Sequence, residues 1–246
     1  MLSKNQIKLI TSLKQKKYRN QHQLFLAEGI KVVNELLDSN YQLEKLFCTE
    51  DANATFEKFE PQIISDLELD KISSLSTPNK VLGLFKIPEF SKIPEKGLIL
   101  VLDGVNDPGN LGTIIRLCDW FGVSHLVCSK NSVDCYNPKV VQSTMGSLAR
   151  LPISYNNIHE FLNQTQLPVY GAVMDGINVY STKLDQNAIL VMGSESNGIS
   201  EKIASLIETK ITIPRYSEAI ITESLNVATA TAILLNEFRR PNPIQR

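Results

Sequence analysis

Apolar residues along the chain gather into short solid runs, and between these runs they recur at helical spacing. Such runs occupy residues 24–27, 81–85, 98–102, 168–174, 188–192 and 211–214, with briefer ones at 62–64 and 72–75 and around Ile153. Most have the length and aliphatic content of a buried strand. Strands are also predicted over 43–48, where Glu44 and Lys45 interrupt the apolar residues, and over 124–128, which opens on Ser124 and His125. Helical spacing appears in Ile7, Ile10 and Leu13, and again in Ile30, Val33, Leu36 and Leu37. It recurs in Ile114, Ile115, Leu117, Cys118 and Phe121, in Val140, Val141, Met145 and Leu148, over 158–162, and in Ile203, Leu206 and Ile207. A longer helix is predicted over 224–240, with Ser224 as its N-cap. The polar tract 14–23 reads as a loop or frayed end. Strand and helix alternate regularly, which predicts an α/β fold with a mainly parallel sheet.

Residues 97–122, GLILVLDGVNDPGNLGTIIRLCDWFG, organise the second part of the chain. An apolar strand breaks into turn-forming residues from Asp103 to Asn110, and a helix follows that Gly122 ends. On this reading Arg116 stands in the first turn of the helix, where the macrodipole disfavours a cation. Together with the loop over 103–113, two further polar loops, 193–200 and 214–226, follow apolar strands. If the three strands are parallel neighbours, their loops converge at one edge of the sheet, where such sheets bind ligands. Glu195 could cap a helix beginning near Ile199 or orient a catalytic group, and Asn226 has no evident structural need. Upstream, IPEFSKIPEK at 87–96 carries two prolines and marks a linker. The expected organisation is an N-terminal α/β domain over 1–88, a linker over 89–96 and a second domain over 97–246.

At 246 residues, 43% apolar and 21% charged, the chain has an ordinary globular composition and ample length for a core. No apolar run approaches the roughly 18 residues of a membrane span, and residues 1–20 lack the apolar centre of a secretory signal. Cys48, Cys118, Cys128 and Cys135 form no paired motif, so reduced thiols and a cytoplasmic location are expected. The net charge of −1 argues against a protein coated in basic residues. Its distribution is uneven, with Lys4, Lys8, Lys14, Lys16, Lys17, Arg19 and Lys31 set against Glu28 within 1–31. Such a segment fits contact with phosphate backbones or a plain solvated face. The dinucleotide fingerprint, the Walker A sequence and the Gly-x-Ser-x-Gly elbow are missing. His22, His125 and His159 have no metal-ligand spacing, and no metal is expected. The residues alone thus indicate a ligand site of open chemistry.

The order of the loops resembles the SpoU (TrmH-like) family of RNA ribose 2′-O-methyltransferases, in the SPOUT superfamily. LDGVNDPGNLGTIIRLCDWFG is similar to the family's first motif, VMGSESNGIS to its second, and ITIP followed by SLNVATATAILLNE to its third. NPKVVQSTMGSLARLPI, residues 137–153, is similar to an intervening segment. The resemblance spans 98–240, and the N-terminal part is similar to a small substrate-binding domain that many members carry. It implies a parallel sheet with a deep trefoil knot, S-adenosylmethionine as methyl donor, RNA as substrate, ribosomal before transfer RNA, and a homodimer that completes the active sites. Motif positions place Arg116, Asn110, Glu195, Ser224 and Asn226 in the catalytic set, with Met145, Gly146, Gly193, Ile213 and Leu225 beside the cofactor. The loop after Pro214 departs from the family: RYSEAIITE, 215–223, is longer and has no glycine, which bears on its conformation and on substrate choice.

The implied reaction is in-line attack of a ribose 2′-hydroxyl on the sulfonium methyl group. A guanidinium is a poor base. Arg116 is therefore expected to grip the adjacent phosphate and align the hydroxyl, or to share in proton removal within a crowded positive environment. Asn110, Ser224 and Asn226 are expected to hold the ribose and the arginine, and Glu195 to orient its neighbours. Two other readings stay open: a non-catalytic RNA-binding or ribosome-assembly protein that keeps the fold, and a methyltransferase acting on a small molecule.

Overall fold

The computed structural model describes residues 1–89, 92–217 and 224–240. The chain divides into two compact units, one comprising Met1–Glu89 and Asp134–Arg150, the other Phe90–Val133 and Leu151–Arg246.

In the first unit, α1 (Lys4–Ser12) opens on a capping box in which Ser3 and Gln6 satisfy each other's backbone N–H groups. There follow α2 (Lys16–His22), β1 (Leu24–Glu28), α3 (Ile30–Leu37), β2 (Leu43–Cys48), the short α4 (Asn53–Phe56), β3 (Gln62–Ile63), α5 (Asp66–Ile72) and β4 (Val81–Lys86). The strands form one sheet in the order β1-β4-β2-β3, antiparallel except for the β2–β3 pair. Side chains alternate across a strand. Leu24 and Leu26 of β1 therefore join Ile10, Leu13 and Leu69 in one cluster, while Phe25 packs against Phe85 and Tyr136. Both faces of β1 are covered, and this is why 24–27 reads as a solid apolar run.

Where a loop is expected over 14–23, the chain forms helix α2. Its sequence KKYRNQH has no apolar stripe, because the residue it buries is Arg19. The guanidinium donates to the carbonyls of Leu13 and Lys14 at 2.9 and 3.1 Å, and through Nε to Asp134 Oδ2 at 2.9 Å. A helix anchored by an ion pair leaves no trace in hydrophobic periodicity.

The second unit begins with β5 (Leu98–Asp103), α6 (Pro108–Trp120) and β6 (His125–Ser129). The chain then returns to the first unit with α7 (Pro138–Ser143), so residues 134–150 pack there although they lie within the stretch 97–246 expected as one domain. β7 (Ile153–Asn156), α8 (Ile158–Gln164), β8 (Val169–Asn178), β9 (Ala188–Gly193), α9 (Glu201–Ala204), β10 (Thr209–Thr212) and α10 (Val227–Arg239) complete the second unit. Its sheet runs β10-β8-β9-β5-β6-β7 and every pair is parallel. Strands buried on both faces of such a sheet become the solid apolar runs of the sequence. β8 continues beyond its expected end at Met174 to reach Asn178, pairing with β10 across an irregularity between Lys210 and Ile211. β5 and β9 pair from Leu98↔Ala188 to Asp103↔Gly193, so the chain leaves both strands side by side. α10 lies against α6, and Arg239 Nε donates to the Phe121 carbonyl at 2.7 Å, placing a cation at the C-terminal end of α6.

All four cysteines are buried, and none is in a disulfide. Burial pushes the thiols of Cys118 and Cys128 up, well clear of the range in which a thiol is reactive. Among the described residues no helix is long and apolar enough to cross a membrane.

Candidate active site

The helix after β5 starts earlier than its apolar spacing predicts. Asp107 caps it by accepting the Asn110 N–H at 2.7 Å, and Pro108 takes the first helical position. Arg116 therefore lies in the third turn and not the first, and the unfavourable macrodipole contact expected of it does not arise. The Asp-Pro pair was the signal for this start, masked by the glycines around it. α10 also starts later than expected. Its N-cap is Asn226 and not Ser224: Asn226 Oδ1 accepts the N–H groups of Ala228 and Thr229 at 2.9 and 3.2 Å. Asn226 thus has a clear structural role.

The two helix starts meet. Asn226 Nδ2 donates to Asn110 Oδ1 at 2.9 Å, and Asn110 Nδ2 donates to Glu195 Oε1 at 2.6 Å. The direction of this relay is set from both ends, since Asn226 Oδ1 is held by backbone N–H groups and a carboxylate oxygen can only accept. Three loops, following β5, β9 and β10, are tied together by it. Glu195 caps no helix; Ser200 stands at the start of α9, and its N–H and Oγ both donate to Asp103 Oδ2 at 2.9 and 2.7 Å. Asp103 was not among the expected site residues. Its one sequence signal was a carboxylate at the end of a solid apolar run.

A cavity of about 600 Å³ opens beside the middle of β8, at Ala172–Met174, and at the C-terminal ends of β9 and β10, within the ~300–1,000 Å³ range of small-molecule sites. Met192, Ile211, Ile213, Leu225, Val227 and Leu234 contribute apolar walls, and Ser194, Glu195, Thr212 and Ser224 contribute polar groups. A Cβ on Gly193 would lie 2.1 Å from Gly198 C and 2.2 Å from Ile199 N. This close approach lets the loop close through reciprocal Ser194–Gly198 backbone hydrogen bonds at 3.0 Å. An apolar chamber with backbone groups along one wall suits a nucleoside-sized cofactor.

The expected residues separate into groups. Gly193, Ile213, Leu225, Glu195 and Ser224 line the cavity, and Asn110 and Asn226 join it through Glu195. Arg116 stands about 9 Å further along the α6 axis than Asn110; it is exposed, with no side-chain hydrogen bond or ion pair among the described residues. Met145 and Gly146 belong to the first unit and do not line the cavity. They form a turn with φ of 52° and 98°, where a Cβ on Gly146 would strike Glu35. Of the unusual loop 215–223, Arg215, Tyr216 and Ser217 line the cavity and 218–223 lie outside the described residues.

The family model described as the SpoU rRNA Methylase family matches residues 97–236, the stretch that holds all three loops. The chain belongs to that family. A second model, the MRM3-like substrate binding domain, matches residues 4–83. The 23S rRNA (guanosine(2553)-2′-O)-methyltransferase RlmP of Bacillus subtilis is 29% identical, covering 96% of this chain and 97% of its own length. Among solved structures, a protein of Porphyromonas gingivalis assigned to the TrmH family of RNA methyltransferases is 40% identical with a TM-score of 0.90, over 98% of this chain and 100% of that one. An rRNA methyltransferase from Sinorhizobium meliloti, solved with AdoMet bound, is 29% identical with a TM-score of 0.87, over 99% and 97% of the two chains. The α/β fold with its parallel sheet is thus that of the SpoU and TrmH structures.

Proposed function

We infer that the chain transfers a methyl group from S-adenosylmethionine to a ribose 2′-hydroxyl of ribosomal RNA. The observation that carries this reading is the apolar cavity bordered by Glu195 and tied by the Glu195–Asn110–Asn226 relay, all of it built on the SpoU motif loops. S-Adenosylmethionine supplies an electrophilic methyl group. Gly193, Ile213 and Leu225 hold it through backbone and apolar contact. Asn110 and Asn226, each amide held from two sides, form a preset frame for the ribose, and such orientation is a main source of rate in displacement chemistry. Glu195 keeps Asn110 turned, and Ser224 adds a hydroxyl at the cavity wall.

Arg116 stands clear of its own chain's relay, on the α6 face that also carries Trp120, 79% exposed. This supports a homodimer in which Arg116 of one copy reaches the site of the other and clamps the phosphate beside the target ribose. The return of the chain from β10, at one edge of the sheet, to α10 against α6 supports the trefoil knot, a rare exception to ordinary connectivity. Exposed Lys4, Lys8, Lys16 and Lys17 support RNA binding by the first unit through salt-sensitive phosphate contacts. A cytoplasmic location accords with that substrate.

Mapping 2′-O-methyl groups in ribosomal and transfer RNA with and without the gene tests the reading. The expected result is one ribosomal ribose that loses its methyl group and regains it on complementation. An unchanged map overturns it.

A further inference from the structure

A second cavity, of about 260 Å³, lies at the C-terminal ends of β5, β6 and β7, and the steps outlined for methyl transfer make no use of it. Most of its lining residues are polar, where those of the first are mostly apolar: Lys130 follows β6, Lys202 stands on α9, and Asn131, Asn156, Asn157 and His159 surround them, with Ile158 and Ile203 adding apolar surface. Both lysines are exposed, and neither side chain makes an ion pair or hydrogen bond among the described residues. Asp103, the one carboxylate of the lining among the described residues, already accepts two hydrogen bonds from Ser200. The amide of Asn131 is likewise uncommitted, and Asn156, whose Nδ2 donates to Ser154, keeps its carbonyl oxygen as an acceptor. Two uncompensated cations in one polar recess attract an anion.

The two cavities share one loop, since Gly193 and Ile199 line the larger and Ser200 the smaller. They open at the same edge of one parallel sheet. From β8–β9 to β6 is about three strand spacings, or ~14 Å, which a single strand of nucleic acid covers in a few nucleotides. We propose that this recess is a subsite for a nucleotide flanking the methylated one on the same RNA strand. Lys130 and Lys202 grip its phosphodiester, while Asn131 and Asn156 meet its ribose or base edge. Unstacked single-stranded RNA exposes these groups together. The subsite would then set which ribose along the strand arrives at the cavity. The inference rests on reading the chain as an RNA methyltransferase.

The test compares wild type with the Lys130→Ala/Lys202→Ala double variant, using unmodified large-subunit ribosomal RNA and particles from cells lacking the gene. The KM for RNA is expected to rise about five- to thirty-fold, with the effect falling on KM and not on kcat or on S-adenosylmethionine affinity. The slope of log affinity against log salt should fall by about 0.7, the value for the one phosphate no longer neutralised on a single strand. Lys130→Arg/Lys202→Arg should restore both. If wild type methylates the RNA and the alanine variant keeps its KM and salt slope, the subsite is overturned and the methyltransferase reading stands. A wild-type protein that binds no S-adenosylmethionine and methylates no RNA overturns that reading, and the subsite with it.

Discussion

Asn226 Nδ2 lies 2.9 Å from Asn110 Oδ1, and this one hydrogen bond joins the N-cap of α10 to the first turn of α6 across 116 positions of sequence. Asn110 passes the constraint on to Glu195. Asn110, Glu195 and Asn226 are therefore held as one unit beside the cavity, which Glu195 lines.

Asn226→Asp separates capping from relay. A carboxylate caps as well as an amide, but it cannot donate to Asn110 Oδ1, so two acceptors would face each other. The expected outcome is near wild-type thermal stability with methyl transfer reduced by about ten-fold or more, on the scale of one or two charge-assisted hydrogen bonds. Asn226→Ala should lose activity and also about 1 kcal/mol of stability. Wild-type turnover in the aspartate variant would sink the relay.

Arg116→Ala should leave folding and S-adenosylmethionine affinity intact, since the side chain is exposed and unpaired among the described residues. Turnover should fall about 100-fold or more, the usual penalty for a misaligned reactant. Mixed dimers of Arg116→Ala and Asn226→Ala chains would contain one intact composite site. Activity recovered on mixing two inactive variants confirms the shared site; no recovery counts against it.

Gly193→Ala forces a Cβ to 2.1 Å from Gly198 C, a clash with backbone and not with a movable side chain. The loop 193–200 must shift, and the cavity wall with it. Titration calorimetry should show S-adenosylmethionine binding weakened by about ten-fold or more, corresponding to a displaced hydrogen bond or two. Unaltered affinity would show that this loop does not shape the cofactor site.

Arg19 is 2% exposed and its partner Asp134 11%. Removing the guanidinium by Arg19→Ala leaves a nearly buried carboxylate without its cation, which costs up to about 3–5 kcal/mol in comparable pairs. Denaturant unfolding should show the loss. The double variant Arg19→Met/Asp134→Leu should recover much of it, because an apolar pair of similar volume carries no desolvation cost.

His125 is buried, with Nε2 2.9 Å from Ser154 Oγ. Burial lowers its imidazole from 6.5 to about 4. Between these values the unfolded chain binds a proton that the folded chain refuses, so stability must fall as pH drops through the window from about 6.5 to 4, by up to about 3 kcal/mol. His125→Gln should flatten the unfolding free energy across that window, measured in urea. A slope equal to wild type would mean that other groups carry the acid sensitivity.

The sheets were legible because strands covered on both faces must be apolar at every position. The runs at 98–102 and 188–192 correspond closely to β5 and β9 for this reason. Helix starts were less legible. α6 opens on Asp107 and Pro108, which local rules can recognise, yet Gly109, Asn110 and Gly112 gave the stretch the composition of a turn. α2 was hidden altogether, because its buried face is a guanidinium whose partner lies 115 positions away.

By itself, the sequence determined where apolar surface had to be buried and in what order the motif loops occur, and these suffice for an α/β fold and for the SpoU family. Tertiary structure alone decided that Asn110, Glu195 and Asn226 form one relay, that Arg116 stands apart from it, and that residues 134–150 join the first unit. The reason is physical. Burial is a property each residue carries in its own side chain, whereas a hydrogen bond is short, directional and shared, so its partner is known only once the chain has brought distant residues within about 3 Å.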